Sequence, residues 1–195
     1  MLTKNEGRVM REILTSFGRD YSINELARIC KIAPNGAFKI LKKFEKEGVL
    51  KEKKIANISS FHINFDNIKT KSLLELSLIQ ESVGRVKYRT QDLTPLKKIT
   101  QIAVIFGSYI TEKEKPSDLD LLFILSQKDF KEYKKISNKI YSVMPIKVQD
   151  VLQTMEDFKD NIRKNDIIIV EALKKGFILW GHEKIIEVLK DESKR

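Results

Sequence analysis

Two short apolar runs constrain the second half of this chain more than any other feature. Ile102-Ala103-Val104-Ile105-Phe106 and the stretch from Leu119 to Leu125 are too short for core helices and too continuously apolar for half-solvated strands. They read as buried strands. Buried strands need cover, and helical patterns supply it on either side. Asp129 to about Val143 carries Phe130, Tyr133, Ile136, Ile140 and Tyr141 on one side, Phe158 to Lys175 is expected as one long helix closed by Gly176, and Glu183 to Lys190 as the last. Ile146 to Leu152 reads as a third strand and Phe177–Trp180 as a short segment. Strands alternating with helices predict a mixed sheet flanked by helices, an α/β (α+β) architecture.

The first part of the chain has a different rhythm. Val9, Ile13, Leu14 and Phe17 outline an amphipathic helix, and Ser22-Ile23-Asn24-Glu25 has the form of a capping box opening a helix to about Cys30. Pro34 stands where a new helix tolerates it best, and Ala37, Ile40, Leu41 and Phe44 follow at helical spacing until Gly48 ends the pattern. Two short strands around a polar tip at Ala56-Asn57 come next. The expected division is therefore a first domain over 1–66, a connecting helical segment over 67–95 with a bend near Gly84, and a second domain over 96–195. Leu73, Leu74, Leu76, Leu78 and Ile79 could line a joining helix or pair with a second copy, so a homodimer is expected.

Charge narrows the classes of partner. Lys and Arg number 37 against 27 Asp and Glu, a net +10, which favours polyanions. The single cysteine, Cys30, can form no intrachain disulfide and reads as a small buried apolar residue. No apolar run approaches the ~18 residues of a membrane span, and the first twenty residues lack a continuous apolar stretch. A soluble, cytoplasmic protein without a membrane partner is expected.

The helix after Pro34 presents Asn35, Lys39, Lys42, Lys43 and Lys46 outward, and Lys51, Lys53 and Lys54 follow on the strands. Asparagine can pair bidentately with adenine, and lysine neutralises phosphates or reaches guanine edges. Residues 5–65 resemble winged helix-turn-helix domains through Ala33-Pro34-Asn35-Gly36-Ala37-Phe38-Lys39-Ile40-Leu41 and the exit Glu47-Gly48-Val49-Leu50. The resemblance implies double-stranded DNA as a partner, with Asn35, Lys39, Lys42, Lys43, Lys53 and Lys54 as contacts. Small winged helices also serve as dimerisation modules.

The sharper pattern is Phe106-Gly107-Ser108 followed, after nine residues, by Asp118-Leu119-Asp120. Carboxylates two apart on an extended segment point to one face, and they repel unless a cation lies between them. Hard oxygen donors near phosphates suit Mg²⁺. Gly107 permits a sharp turn at a strand end, and Ser108 adds a hydroxyl and an amide. These residues, with Gly176-Phe177-Ile178-Leu179-Trp180-Gly181, resemble the minimal members of the nucleotidyltransferase superfamily related to DNA polymerase β, over about residues 96–182. The resemblance implies transfer of a nucleoside monophosphate, AMP from ATP or another nucleoside triphosphate, to an acceptor hydroxyl. Asp118 and Asp120 would hold two Mg²⁺ ions, and Gly107 and Ser108 the β- and γ-phosphates. It also implies a third catalytic, metal-binding carboxylate on the next strand. There two registers compete: Asp150 completes the triad, whereas anchoring on Thr154 puts Gln149 in its place. Minimal members are often antitoxins that adenylylate a HEPN-type toxin, so a partner-protein hydroxyl is one acceptor class and a small molecule another. The competing reading is a DNA-binding regulator whose second half senses nucleotide or has lost catalysis.

Overall fold

The computed structural model describes residues 2–55, 58–79, 85–111 and 116–193. The turn tip at Ala56-Asn57 and the bend at Gly84 lie outside them. The chain divides into two compact units, Met1–Ile79 with Ile186–Arg195, and Gln80–Ile185.

The first unit begins with α1 (Lys4–Leu14), α2 (Ile23–Cys30) and α3 (Pro34–Lys46). Ser22 and Glu25 form the reciprocal cap expected from their spacing, and Thr3 with Glu6 forms a second one at the start of α1. Val9, Met10, Ala37, Leu41 and Phe44 meet at 0–1% exposure. Gly48 ends α3 at φ +72°, a conformation that costs a Cβ-bearing residue more. The hairpin β1 (Leu50–Ile55) and β2 (Ile58–Ile63) pairs Leu50 with Ile63 in antiparallel register. Cys30 is buried, and burial pushes its thiol up to about 11. The 67–95 stretch divides between the units. Helix α4 (Thr70–Leu78) packs on α1 with Leu74 and Leu78 buried, whereas α5 (Arg85–Leu93) precedes the sheet of the second unit and buries Leu93 there.

In the second unit four strands lie in the order β5-β4-β3-β6. These are β3 (Ile102–Phe106), β4 (Asp118–Ile124), β5 (Lys147–Gln153) and β6 (Phe177–Trp180). β4 runs parallel to β5, and the other pairs are antiparallel, so the sheet is mixed as expected. Helix α6 (Phe130–Tyr141) covers one face, where Tyr133 joins Ala103, Ile105, Leu119, Leu121 and Phe123 in the core. Trp180 belongs to the same core and donates its indole N–H to Thr100 Oγ1 at 3.1 Å. Helix Ile167–Lys175 lies on the other face: a Cβ at Gly176, just past its end, would strike Val104.

The single long helix expected over Phe158–Lys175 is two helices, α7 (Met155–Arg163) and α8 (Ile167–Lys175). Asn165 adopts φ +52° between them, and Asp166 Oδ1 accepts the Ile168 and Ile169 amides at 3.0 and 3.1 Å. Apolar spacing runs on across the break and hides it, while the caps at Thr154 and Asp166 mark two starts. The last helix is α9 (His182–Ser193). Among the described residues, no helix is long and apolar enough to cross a membrane. Replacing Asp166 by Ala should lower stability by about 1 kcal/mol, the usual worth of an N-cap side chain, read as a drop in the thermal melting midpoint.

Candidate active site

Alternation along β4 puts Leu119, Leu121 and Phe123 into the α6-side core and turns Asp118 and Asp120 to the opposite face. Antiparallel pairing sets Phe106 against Asp120, so the turn after β3 lands beside the carboxylates. Gly107 opens that turn at φ +70°, and a Cβ there would collide with the Asp120 carboxylate. The glycine is required twice, for its backbone conformation and for the close approach. A short 3₁₀ turn, Gly107–Ile110, follows, and within it the Ser108 hydroxyl oxygen is buried with no hydrogen-bond partner. Buried hydroxyls are nearly always satisfied, so an orphaned one in a carboxylate-lined turn marks a place for a ligand oxygen.

Asp118 is held at both oxygens. Ser117 Oγ donates to Oδ1 at 3.0 Å, and Gln149 Nε2 donates to Oδ2. Asp120 has its proton affinity raised, first by partial burial, then by the charges of Asp118 and Glu171. The folded state therefore stores repulsion at neutral pH, which a cation would relieve.

The register of β5 decides the third position. Asp120 faces Gln149 across the parallel pair, and Leu121 faces Asp150. Gln149 thus joins the two aspartates, and Asp150, expected as the third carboxylate, points to the α6 side. There it accepts the Tyr133 hydroxyl at 2.7 Å and the Tyr141 hydroxyl at 3.3 Å, and the two hydroxyls lie 2.7 Å apart. Burial raises both phenols above the usual tyrosine range, so each keeps its proton and serves as a donor. Asp150 is corrected from a metal ligand to the anchor of a tyrosine pair. The physical reason is the two-residue period of a strand: adjacent residues cannot share a face.

Glu171 escapes sequence reasoning. It sits on α8 beside buried Ala172, within an apolar run that reads as core, yet its charge reaches Asp120 across the fold. Lys175 Nζ lies 3.5 Å from its carboxylate.

The donor set fits a hard divalent cation. Among the described residues no third His, Cys, Asp or Glu completes a cluster, and Mg²⁺ is commonly held by one or two carboxylates together with substrate phosphates. Two clustered aspartates, neutral oxygens from Gln149 and an unsatisfied Ser108 meet that description.

The cationic candidates of the first unit divide in two. Lys42 bridges Glu45 at 2.9 Å and Glu52 at 2.8 Å, Lys43 pairs with Glu6 at 2.7 Å, and Lys53 lies 3.4 Å from Asp20. Asn35, Lys39 and Lys54 are exposed, and neither lysine makes an ion pair among the described residues. Lys42–Glu45 is a local pair within α3, but the other pairs gave no hint in the sequence, because Glu6, Asp20 and Glu52 come from α1, the loop before α2 and β1.

Residues 90–175 match the family described as Polymerase beta, Nucleotidyltransferase. The match contains Gly107, Ser108, Asp118, Asp120 and Gln149, and it supports nucleotidyl transfer as the general activity. No curated protein and no solved structure matches the chain.

Two substitutions separate the faces of β4 and β5. Asp120→Asn should raise the melting temperature at neutral pH without divalent cation. A carboxyl with a raised folded pKa stabilises fully only below its unfolded pKa and loses that contribution as pH rises through the folded value. The gain should therefore shrink as pH falls through the carboxylate range. Asp150→Asn should lower stability by about 1 kcal/mol, the scale of one weakened charge-assisted hydrogen bond, while Mn²⁺ affinity measured by calorimetry stays unchanged.

Proposed function

We propose that the second unit transfers a nucleoside monophosphate, AMP from ATP, to an acceptor hydroxyl, and that the first unit addresses double-stranded DNA. The observation that carries the reading is the pair Asp118 and Asp120 on one face beside the Gly107-Ser108 turn, inside the matched segment.

The reaction joins the acceptor oxygen to the α-phosphorus and breaks the bond to the β-phosphate bridge, so pyrophosphate leaves. Bound Mg²⁺ would lower the pKa of the acceptor hydroxyl and neutralise triphosphate charge. Asp118 and Asp120 would hold it, and its charge would relieve their mutual repulsion. Ser108 Oγ and the amides of its turn would donate to the terminal phosphates, with Gly107 keeping the space open. Gln149 Nε2 fixes the rotamer of Asp118. A neutral amide cannot take the acceptor's proton, so that proton passes to solvent. The consequence is slow transfer. A partner-protein hydroxyl, as in antitoxin-type adenylylation, is the acceptor class we favour, on the strength of the resemblance to minimal nucleotidyltransferases.

The amide at that position also favours a second reading, a DNA-binding regulator that holds a triphosphate without efficient turnover. Labelled ATP with Mg²⁺ and candidate acceptor proteins separates the two. Label transfer abolished by Asp118→Ala and accelerated by Gln149→Asp supports the transferase. Saturable triphosphate binding without transfer by either form supports the sensor, and neither binding nor transfer with any nucleotide overturns both.

A further inference from the structure

Asp118 accepts a hydrogen bond at each oxygen, from Ser117 Oγ at Oδ1 and from Gln149 Nε2 at Oδ2. Lys147 lies two residues before Gln149 on the same face of β5, exposed, and the register sets it against Asp118. The β5 side of the aspartate pair therefore carries an N–H donor and an ammonium group, and no anion. Other carboxylates of the unit are engaged elsewhere. Asp150 holds Tyr133 and Tyr141 on the α6 side, and Glu171 lies 3.5 Å from Lys175 Nζ. Among the described residues no third acidic side chain clusters with the pair.

We propose that Gln149 makes this a site for one divalent ion rather than two, its amide N–H taking at Asp118 the place of the second ion. The inference rests on the nucleotidyl-transfer reading above and specifies how the metal of that reaction is held. The lone pairs of an ionised carboxylate accept hydrogens, and the same lone pairs bind cations. An N–H donor presents partial positive charge, so it satisfies Asp118 as a cation would and repels a cation approaching the same oxygen. Turning the amide over at that place would break the hydrogen bond and set oxygen against oxygen.

The electrostatics of paired ions point the same way. Ions in two-metal sites lie about 3.5–4 Å apart, and two divalent ions repel about four times as strongly as two monovalent ones at equal distance. Shared anionic ligands offset that repulsion. A third carboxylate would add one such ligand, whereas glutamine adds none and Lys147 opposes it. A single ion held by Asp118 and Asp120 has triphosphate oxygens to complete its shell, next to the unpartnered Ser108 hydroxyl.

The test counts ions on the full chain. Mn²⁺ is titrated with a saturating ATP analogue whose α,β-bridge is a methylene group, so no transfer occurs. Bound ions are counted by electron paramagnetic resonance against the analogue alone. The natural chain should hold one Mn²⁺ without spin coupling. Gln149→Glu keeps the side-chain length and exchanges the donor for an anion; it should hold two Mn²⁺ with the coupled spectrum of neighbouring ions. Gln149 is exposed, and the count on the natural chain tests the inference even if the variant folds poorly. Two coupled ions on the natural chain overturn the inference and leave the transferase reading standing; loss of one of them in Glu171→Gln then assigns the extra ligand to α8. One ion on both chains overturns the role of Gln149. Neither Mn²⁺ nor analogue bound by either chain removes the transferase reading and this inference together.

Discussion

The parallel pairing of β4 with β5, in the register that sets Asp120 against Gln149, governs what this protein can do. A strand offers alternate residues to opposite faces, so one ladder assigns every side chain of β5 at once. Gln149 goes with the aspartates and Asp150 with the tyrosines of α6. Shifting the ladder by one residue would give three carboxylates beside the Gly107 turn. It would also bury the amide of Gln149 against Tyr133 and withdraw Val148 and Leu152 from the core they pack on. Core packing and the tyrosine pair hold the register against that alternative.

The same strand pairing explains why the site is compact with so few residues. β3 ends opposite Asp120, and the chain turns at once through Gly107. An aspartate carboxylate occupies the space where any other residue would carry its Cβ. The hydroxyl of Ser108 is then buried against no partner, and the charge of Glu171 adds to that of Asp118 at Asp120. Each feature raises the free energy of the folded site: an unsatisfied hydroxyl, and carboxylates that repel. A cation would relieve the repulsion and a ligand oxygen would satisfy the hydroxyl, which would couple binding to stability there.

Much of the architecture was legible in short-range pattern. The capping box at Ser22, the proline at the first position of α3, the glycine after it and the two apolar strands each encode a local conformation through the chemistry of a few neighbouring residues. Where local signals conflicted, reading failed. The helical period from Phe158 to Lys175 is continuous in apolar residues, and the cap at Asp166 was the competing signal that prevailed. In the first unit the lysines were visible, but the distant acidic partners of Lys42, Lys43 and Lys53 were not. Lys43 and Glu6 are 37 positions apart, and nothing local links them.

The sequence alone determined that Asp118 and Asp120 share a face next to a Gly-Ser turn, because the two-residue period of a strand is a covalent property of extended backbone. It determined equally that adjacent Gln149 and Asp150 could not both join them. Which of the two does so was decided by tertiary structure alone. That choice depends on the alignment of two strands joined by α6, on where α6 places Tyr133 and Tyr141, and on how Val148 and Leu152 fill the core beneath it. Packing over that distance, rather than any local propensity, put an amide where a carboxylate was expected.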